Sequence, residues 1–102
     1  MAHLVTLLLP LKDNEGEPYA PEVFDDLRSR LLKAHGGVTV FGRAPGEGLW
    51  RNGGKVEADE VVIFEVMVEG LDRAWWSALR AELEVQLGQD EIVVRAAPIE
   101  RL

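Results

Sequence analysis

The sequence predicts an α+β sandwich of order β-α-β-β-α-β, a four-stranded antiparallel sheet with two helices on one face. Two segments repeat apolar residues at three- and four-residue spacing and each closes at a glycine, while Val61 to Val68 is the most β-prone segment of the chain. The other apolar runs are short enough to be strands.

Leu4 to Leu9 is a run of branched residues broken only by Thr6 and ended by Pro10 and a polar stretch over 12–18, as expected of a central strand buried on both faces. Pro21 then takes the first helical position. Glu22, Asp25 and Asp26 follow it, and Arg28, Arg30, Lys33 and His35 lie toward the Gly36-Gly37 stop, so the charges complement the helix dipole at both ends. A His35 imidazolium is expected to serve that dipole and nothing more. Val23, Phe24, Leu27, Leu31 and Ala34 form the predicted buried stripe.

Val38 to Phe41 alternates as a short second strand, and 42–48 breaks the pattern. Asn52-Gly53, between Leu49-Trp50-Arg51 and Lys55-Val56, tolerates positive φ at both positions and predicts a hairpin joining the second and third strands. The third strand, Val61 to Val68, places Val62, Phe64, Val66 and Val68 on one face and Val61, Ile63, Glu65 and Met67 on the other. Asp72 is placed to cap a second helix whose inward stripe is Trp76, Leu79, Leu83 and Leu87, with Gly88 closing it. Trp75, about 100° around that helix, is left for the rim or a partner. Ile92 to Ala97 is the last strand, terminated by Pro98. Two β-α-β units joined by a hairpin pack as a ferredoxin-like sandwich, expected to form one domain over 1–102.

Composition narrows the function classes. Of 102 residues, 47% are hydrophobic and 28% charged, enough apolar surface for a core. The absence of cysteine excludes a disulfide framework, a thiolate zinc site and a cysteine nucleophile, and fits a cytoplasmic location. The Leu4 to Leu11 run lacks a basic leader and a small-residue cleavage site, and no segment has the roughly 20 apolar residues needed to span a bilayer, so no membrane partner is expected. A net charge of -7 repels phosphate backbones, which argues against nucleic acid.

Most local motifs dissolve on inspection. The 46–51 stretch begins like a dinucleotide fingerprint, but Arg51 replaces the third glycine and a hairpin follows in place of a helix. In 13–17 the glycine falls too early for a calcium loop, and the position of the last ligand is Phe24. His3 and His35 are the only histidines and lie on different elements, so no metal site is expected. Glu57, Asp59 and Glu60 read as a solvated edge, and Ser29 and Ser77 lie inside helices without a nucleophile elbow. No cofactor motif is present, and no catalytic residue is assigned.

Two constellations remain. In the strand order usual for this fold, Arg95, Thr6, Glu65 and Thr39 line up as a polar row on the sheet face away from the helices, either a ligand site or a row inside an interface. Arg43, Arg51 and Lys55 gather beside Trp50 around the glycine-rich loop, where a small anionic or aromatic ligand is expected to dock. The tentative ligand-binding set is therefore Arg43, Trp50, Arg51, Glu65 and Arg95. The open face also presents Val61, Ile63 and Met67, with Phe41 and Val93 extending the patch, which predicts a homodimer through that face.

The stretch from Gly37 through Trp50, Val61 to Val68 and the 86–94 segment resemble a group of small uncharacterised bacterial proteins of ferredoxin-like fold. Size and element order are similar to the wider set of dimeric α/β-barrel proteins. The resemblance implies the fold and brings no catalytic motif. The reading preferred from sequence is a homo-oligomeric domain binding a small molecule or protein partner without catalysis. The alternative is a cofactor-independent enzyme of monooxygenase or isomerase type acting on a small organic acid or aromatic substrate, with Arg95 or Arg43 holding an anion, Trp50 stacking and Glu65 as base.

Overall fold

The computed structural model describes residues 1–41 and 61–102 in full, and 49–52 and 55–58 as backbone strands. The elements run β1 (Ala2–Pro10), α1 (Pro21–His35), β2 (Thr39–Phe41), β3 (Leu49–Asn52), β4 (Lys55–Ala58), β5 (Val61–Glu69), α2 (Arg73–Leu87) and β6 (Val93–Ile99). β2, β5, β1 and β6 form a four-stranded sheet in that order, every neighbouring pair antiparallel. With two helices this is the ferredoxin-like α+β fold.

Alternation decides which face is the core. On β1, Val5, Leu7 and Leu9 are buried, and on β5, Val62, Phe64 and Val66. The register pairs Val5 with Val66, Leu7 with Phe64 and Leu9 with Val62, so all six project from the same side of the sheet. Against that side pack Leu27 and Leu31 of α1 and Trp76, Leu79, Leu83 and Leu87 of α2, giving one continuous core.

Each helix ends where the sequence stops it. Gly36 and Gly88 adopt positive φ, 83° and 62°, and return their amides to carbonyls of the last turn. At the start of α2, Asp72 Oδ1 accepts from the Trp75 amide at 3.1 Å. The helices are tied to each other by the Arg30–Glu82 ion pair, whose guanidinium holds the Glu82 carboxyl below its ordinary range.

Four sequence expectations need correction. Ala34 is exposed, and the stripe Leu27, Leu31 continues instead to His35 at the next four-residue step. Pro98 does not end the last strand. β6 runs through it to Ile99, with Pro98 opposite His3, because an edge strand has amides that face no partner and tolerates a proline. The β3–β4 hairpin forms a separate two-stranded sheet, and Asn52 is its last paired residue, opposite Lys55. The chain therefore enters β5 from a second small sheet and not through one simple hairpin from β2.

His35 also departs from its expected role. Its imidazole stacks on Trp76, ring centroids 4.7 Å apart, and meets Trp75 edge-on at 4.5 Å. Burial there lowers its pKa, which favours the neutral ring over a dipole-complementing cation.

Candidate functional site

The sheet face away from the helices carries the residues of opposite parity, and the register sets their order. Thr39 of β2 pairs with Glu65 of β5, Glu65 with Thr6 of β1, and Thr6 with Arg95 of β6. The four form one polar row running straight across the sheet. On one side of it lies an apolar row, Phe41, Ile63, Leu8 and Val93, and on the other side Met67, Leu4 and Ala97. Met67 is 56% exposed, Phe41 43% and Val93 40%, too much apolar surface to be incidental on the face turned away from α1 and α2.

The row does not close on itself. Thr6, largely buried on the central strand, separates Glu65 from Arg95 by two strand spacings, about 9–10 Å. The two make no ion pair within one chain. Glu65 is half-buried and Arg95 exposed, so these charges are held on one face without neutralising each other.

Beside the row, the face deepens into a cleft of about 650 Å³. Leu4, Phe41 and Met67 supply apolar surface, Thr39 and Glu65 enter from the polar row, and the 35–38 segment joining α1 to β2 forms a wall. Arg101, beyond the end of β6, lines the same cleft. Sequence reading missed Arg101 because the tail after Pro98 carries no pattern. Only the register, which sets Ile99 opposite Ala2, brings that tail to the end of the sheet where Leu4 and Met67 lie.

Of the sequence-derived ligand set, the structure brings Glu65 and Arg95 onto one face and Glu65 alone into the cleft. Arg43 lies outside the described residues, as do the side chains of Trp50 and Arg51, whose backbones belong to β3. A second, smaller hollow of about 190 Å³ lies on the helix side between the start of α2 and β6, lined by Leu71, Arg73, Trp76 and Ser77 among others.

No family model matches the sequence, and no curated protein matches it. Among the solved structures that resemble the fold are two divalent cation tolerance proteins. The divalent cation tolerance protein (Cut A1) from Thermus thermophilus is 16% identical, with a TM-score of 0.63 over 99% of this chain and 86% of that one. The periplasmic divalent cation tolerance protein CutA from Archaeoglobus fulgidus is 20% identical, with a TM-score of 0.61 and the same coverage. At such identities the likeness shows the fold alone.

Proposed function

We propose that the chain is a non-catalytic binding domain that works as a homodimer through the open face of its sheet, with Glu65 and Arg95 among the residues that meet a ligand or partner. The observation that carries this is the apolar row Phe41, Ile63, Leu8 and Val93 beside a polar row whose Glu65 and Arg95 do not pair with each other, on the face turned away from α1 and α2. Covering several hundred Å² of it on each of two copies contributes on the order of 10 kcal/mol at about 25 cal/mol per Å². That is comparable with the roughly 4–15 kcal/mol that association costs. A two-fold axis through the sheet is the simplest closed arrangement and brings Glu65 of one copy toward Arg95 of the other.

Ile63, at the centre of the apolar row, is the residue to test. Sedimentation equilibrium is expected to give a dimer for the native chain and a folded monomer for Ile63→Lys. A native monomer at high micromolar concentration, or an unchanged dimer in the variant, defeats the proposal.

The names of the two structural neighbours raise divalent cations, and the donors among the described residues do not fit one. The chain has no cysteine, the buried Nε2 of His35 lies in its indole cluster, and His3 sits in register with Val68 on the helix side of the sheet. Among the described residues no three His, Asp or Glu side chains are grouped to hold a metal. No part of the proposed binding runs through a cation. Among the described residues no helix is long and apolar enough to cross a membrane. A cytoplasmic location belongs to the same proposal, on the strength of the cysteine-free composition, although one neighbour is described as periplasmic.

A further inference from the structure

We infer that the outer edge of β6 docks an extended peptide as an added strand, one that carries an apolar side chain and an acidic one two residues away. The open face of the sheet takes no part in this. Among the described residues β6 pairs on one side only, with β1. In an antiparallel ladder each residue turns its amide and carbonyl to the same neighbour, and successive residues alternate. The Met1 carbonyl accepts from the Gly70 amide at 3.2 Å, on the β5 side of β1, so odd-numbered residues of β1 face β5 and even-numbered ones face β6. The prolines agree. Pro10 then lacks a donor only toward β6, whose pairing ends at Leu8, and Pro98, opposite His3, lacks one only on the outer edge. Val94 and Ala96, of the same parity as Pro98, therefore turn both amide and carbonyl outward, where no described strand receives them.

The hollow of about 190 Å³ lies beside that edge, lined by Val94 and Ala96 together with Val5, Leu71 and Trp76. Ala96, opposite Val5 in the register, has too small a side chain to fill the space between β6 and α2. The hollow is below the roughly 300–1,000 Å³ of small-molecule sites and suits a single side chain. A strand added to β6 supplies one, because the residue that bonds Ala96 projects from the same side of the sheet as Ala96 does. Charge selects the rest of the peptide. The two charged residues lining the hollow, Arg73 and Arg95, are both arginines in a chain of net charge -7, and neither has an ion-pair partner among the described residues. Arg95 is assigned to the dimer contact, so recognition rests on Arg73, which is exposed in the first turn of α2. On an added strand the residue two positions from the buried side chain stands about 6.5–7 Å along the same face, within the span of an arginine that lines the hollow. An acidic residue there pairs with it.

A second copy of β6 fits the edge less well than such a peptide. The two-fold register that bonds Val94 to Ala96 sets Arg95 of one copy directly against Arg95 of the other. A shift one way brings Pro98, with no amide, opposite Val94, and a shift the other way uses Ile92, whose amide already donates to Glu84.

Fluorescence anisotropy of the native chain with a labelled heptapeptide tests the inference, the peptide being of threonines with a central leucine and a glutamate two residues to either side. Saturable binding is expected. N-methylation of the leucine, whose amide faces β6, is expected to weaken it by about tenfold or more, and Ala96→Pro, which removes the matching amide from the chain, by as much. Arg73→Gln should weaken it about two- to fivefold, the usual worth of an exposed ion pair, and leave a peptide with glutamine in place of glutamate unaffected. Ala96→Pro puts the new ring at an outward position, as at Pro98, so circular dichroism should find it folded. Should it unfold, the N-methylated peptide asks the same question of the native chain. The absence of saturable binding at millimolar peptide, or binding indifferent to N-methylation and to Arg73→Gln, overturns the inference. Loss of self-association in folded Ala96→Pro by sedimentation equilibrium also overturns it, by assigning the edge to a second copy. The open-face dimer is tested separately by Ile63→Lys.

Discussion

The His35 imidazole lies nearly flat on the Trp76 indole, their planes 11° from parallel, so the last residue of α1 is clasped by the first turn of α2. Trp75 closes the cluster edge-on to both rings. The Nε2 atom of His35 is buried there without a hydrogen-bond partner among the described residues, an arrangement that suits a neutral ring in an apolar setting.

A pH dependence follows from this stack. The His35 pKa is lowered by burial, whereas in the unfolded chain it has its ordinary value of 6.5. Above that value both states are neutral and His35 contributes no pH dependence. As the pH falls below it, the unfolded chain takes up the proton first and stability is lost, until the folded pKa has also been passed. Urea unfolding between about pH 7.5 and about pH 5.5 is expected to show a smaller loss of stability in His35→Phe, which keeps the aromatic stack and removes the proton. Equal losses in the two proteins would locate the pH dependence elsewhere.

Glu84 ties α2 to the start of β6. Its Oε2 accepts from the Ile92 amide at 3.0 Å and from Arg80 at 3.1 Å, and the Ile92 side chain is fully buried beneath it. Glu84→Ala leaves a backbone amide in an apolar setting without its acceptor, an expected cost of about 1–3 kcal/mol. Glu84→Gln keeps a carbonyl oxygen in the same place and is expected to lose less than half as much. Thermal unfolding of the two variants side by side is the measurement, and similar losses would mean that Arg80 and not Ile92 is the partner that counts.

Tyr19 performs a similar task for the loop before α1. Its hydroxyl donates to the Leu87 carbonyl at 2.5 Å and accepts from Gln89 Nε2 at 2.8 Å, while its ring packs edge-on to Phe24. Tyr19→Phe keeps the packing and leaves an α2 carbonyl short of a donor. A loss of about 1–2 kcal/mol is expected, which for a chain of this size lowers the melting temperature by about 4–16 °C. An unchanged melting temperature would show that water replaces the hydroxyl at no cost.

Elements set by one local pattern were legible in the sequence. The run of β-branched and aromatic residues from Val61 to Val68 marked its strand, with Glu65 on the open face once the even residues are taken as core-facing, and the stripe Trp76, Leu79, Leu83, Leu87 with its Asp72 cap marked α2. The polar row was legible too, because parity and the usual strand order together place Thr39, Glu65, Thr6 and Arg95. Features that join distant segments were not. The stack of His35 on Trp76 depends on how two helix ends meet, and the place of Arg101 in the cleft depends on a strand that continues through Pro98. A proline marks a strand end in sequence, and only its edge position makes it harmless. Of the residues the sequence singled out for a ligand, Glu65 lines the cleft and Arg95 stands two strands away, while Arg43 and the side chains of Trp50 and Arg51 lie outside the described residues.

The pairing of β1 has a consequence for synthesis. Of the strands of this sheet β1 is made first, yet its two partners are β5 and β6, and the Ala2 to Ile99 pair forms only after the last of them has been made. Its apolar segment Leu4 to Leu9 therefore waits unpaired until β5 has been made, a window in which a nascent chain is exposed to aggregation or to a chaperone. Closure of the sheet waits for the synthesis of its edge strand β6.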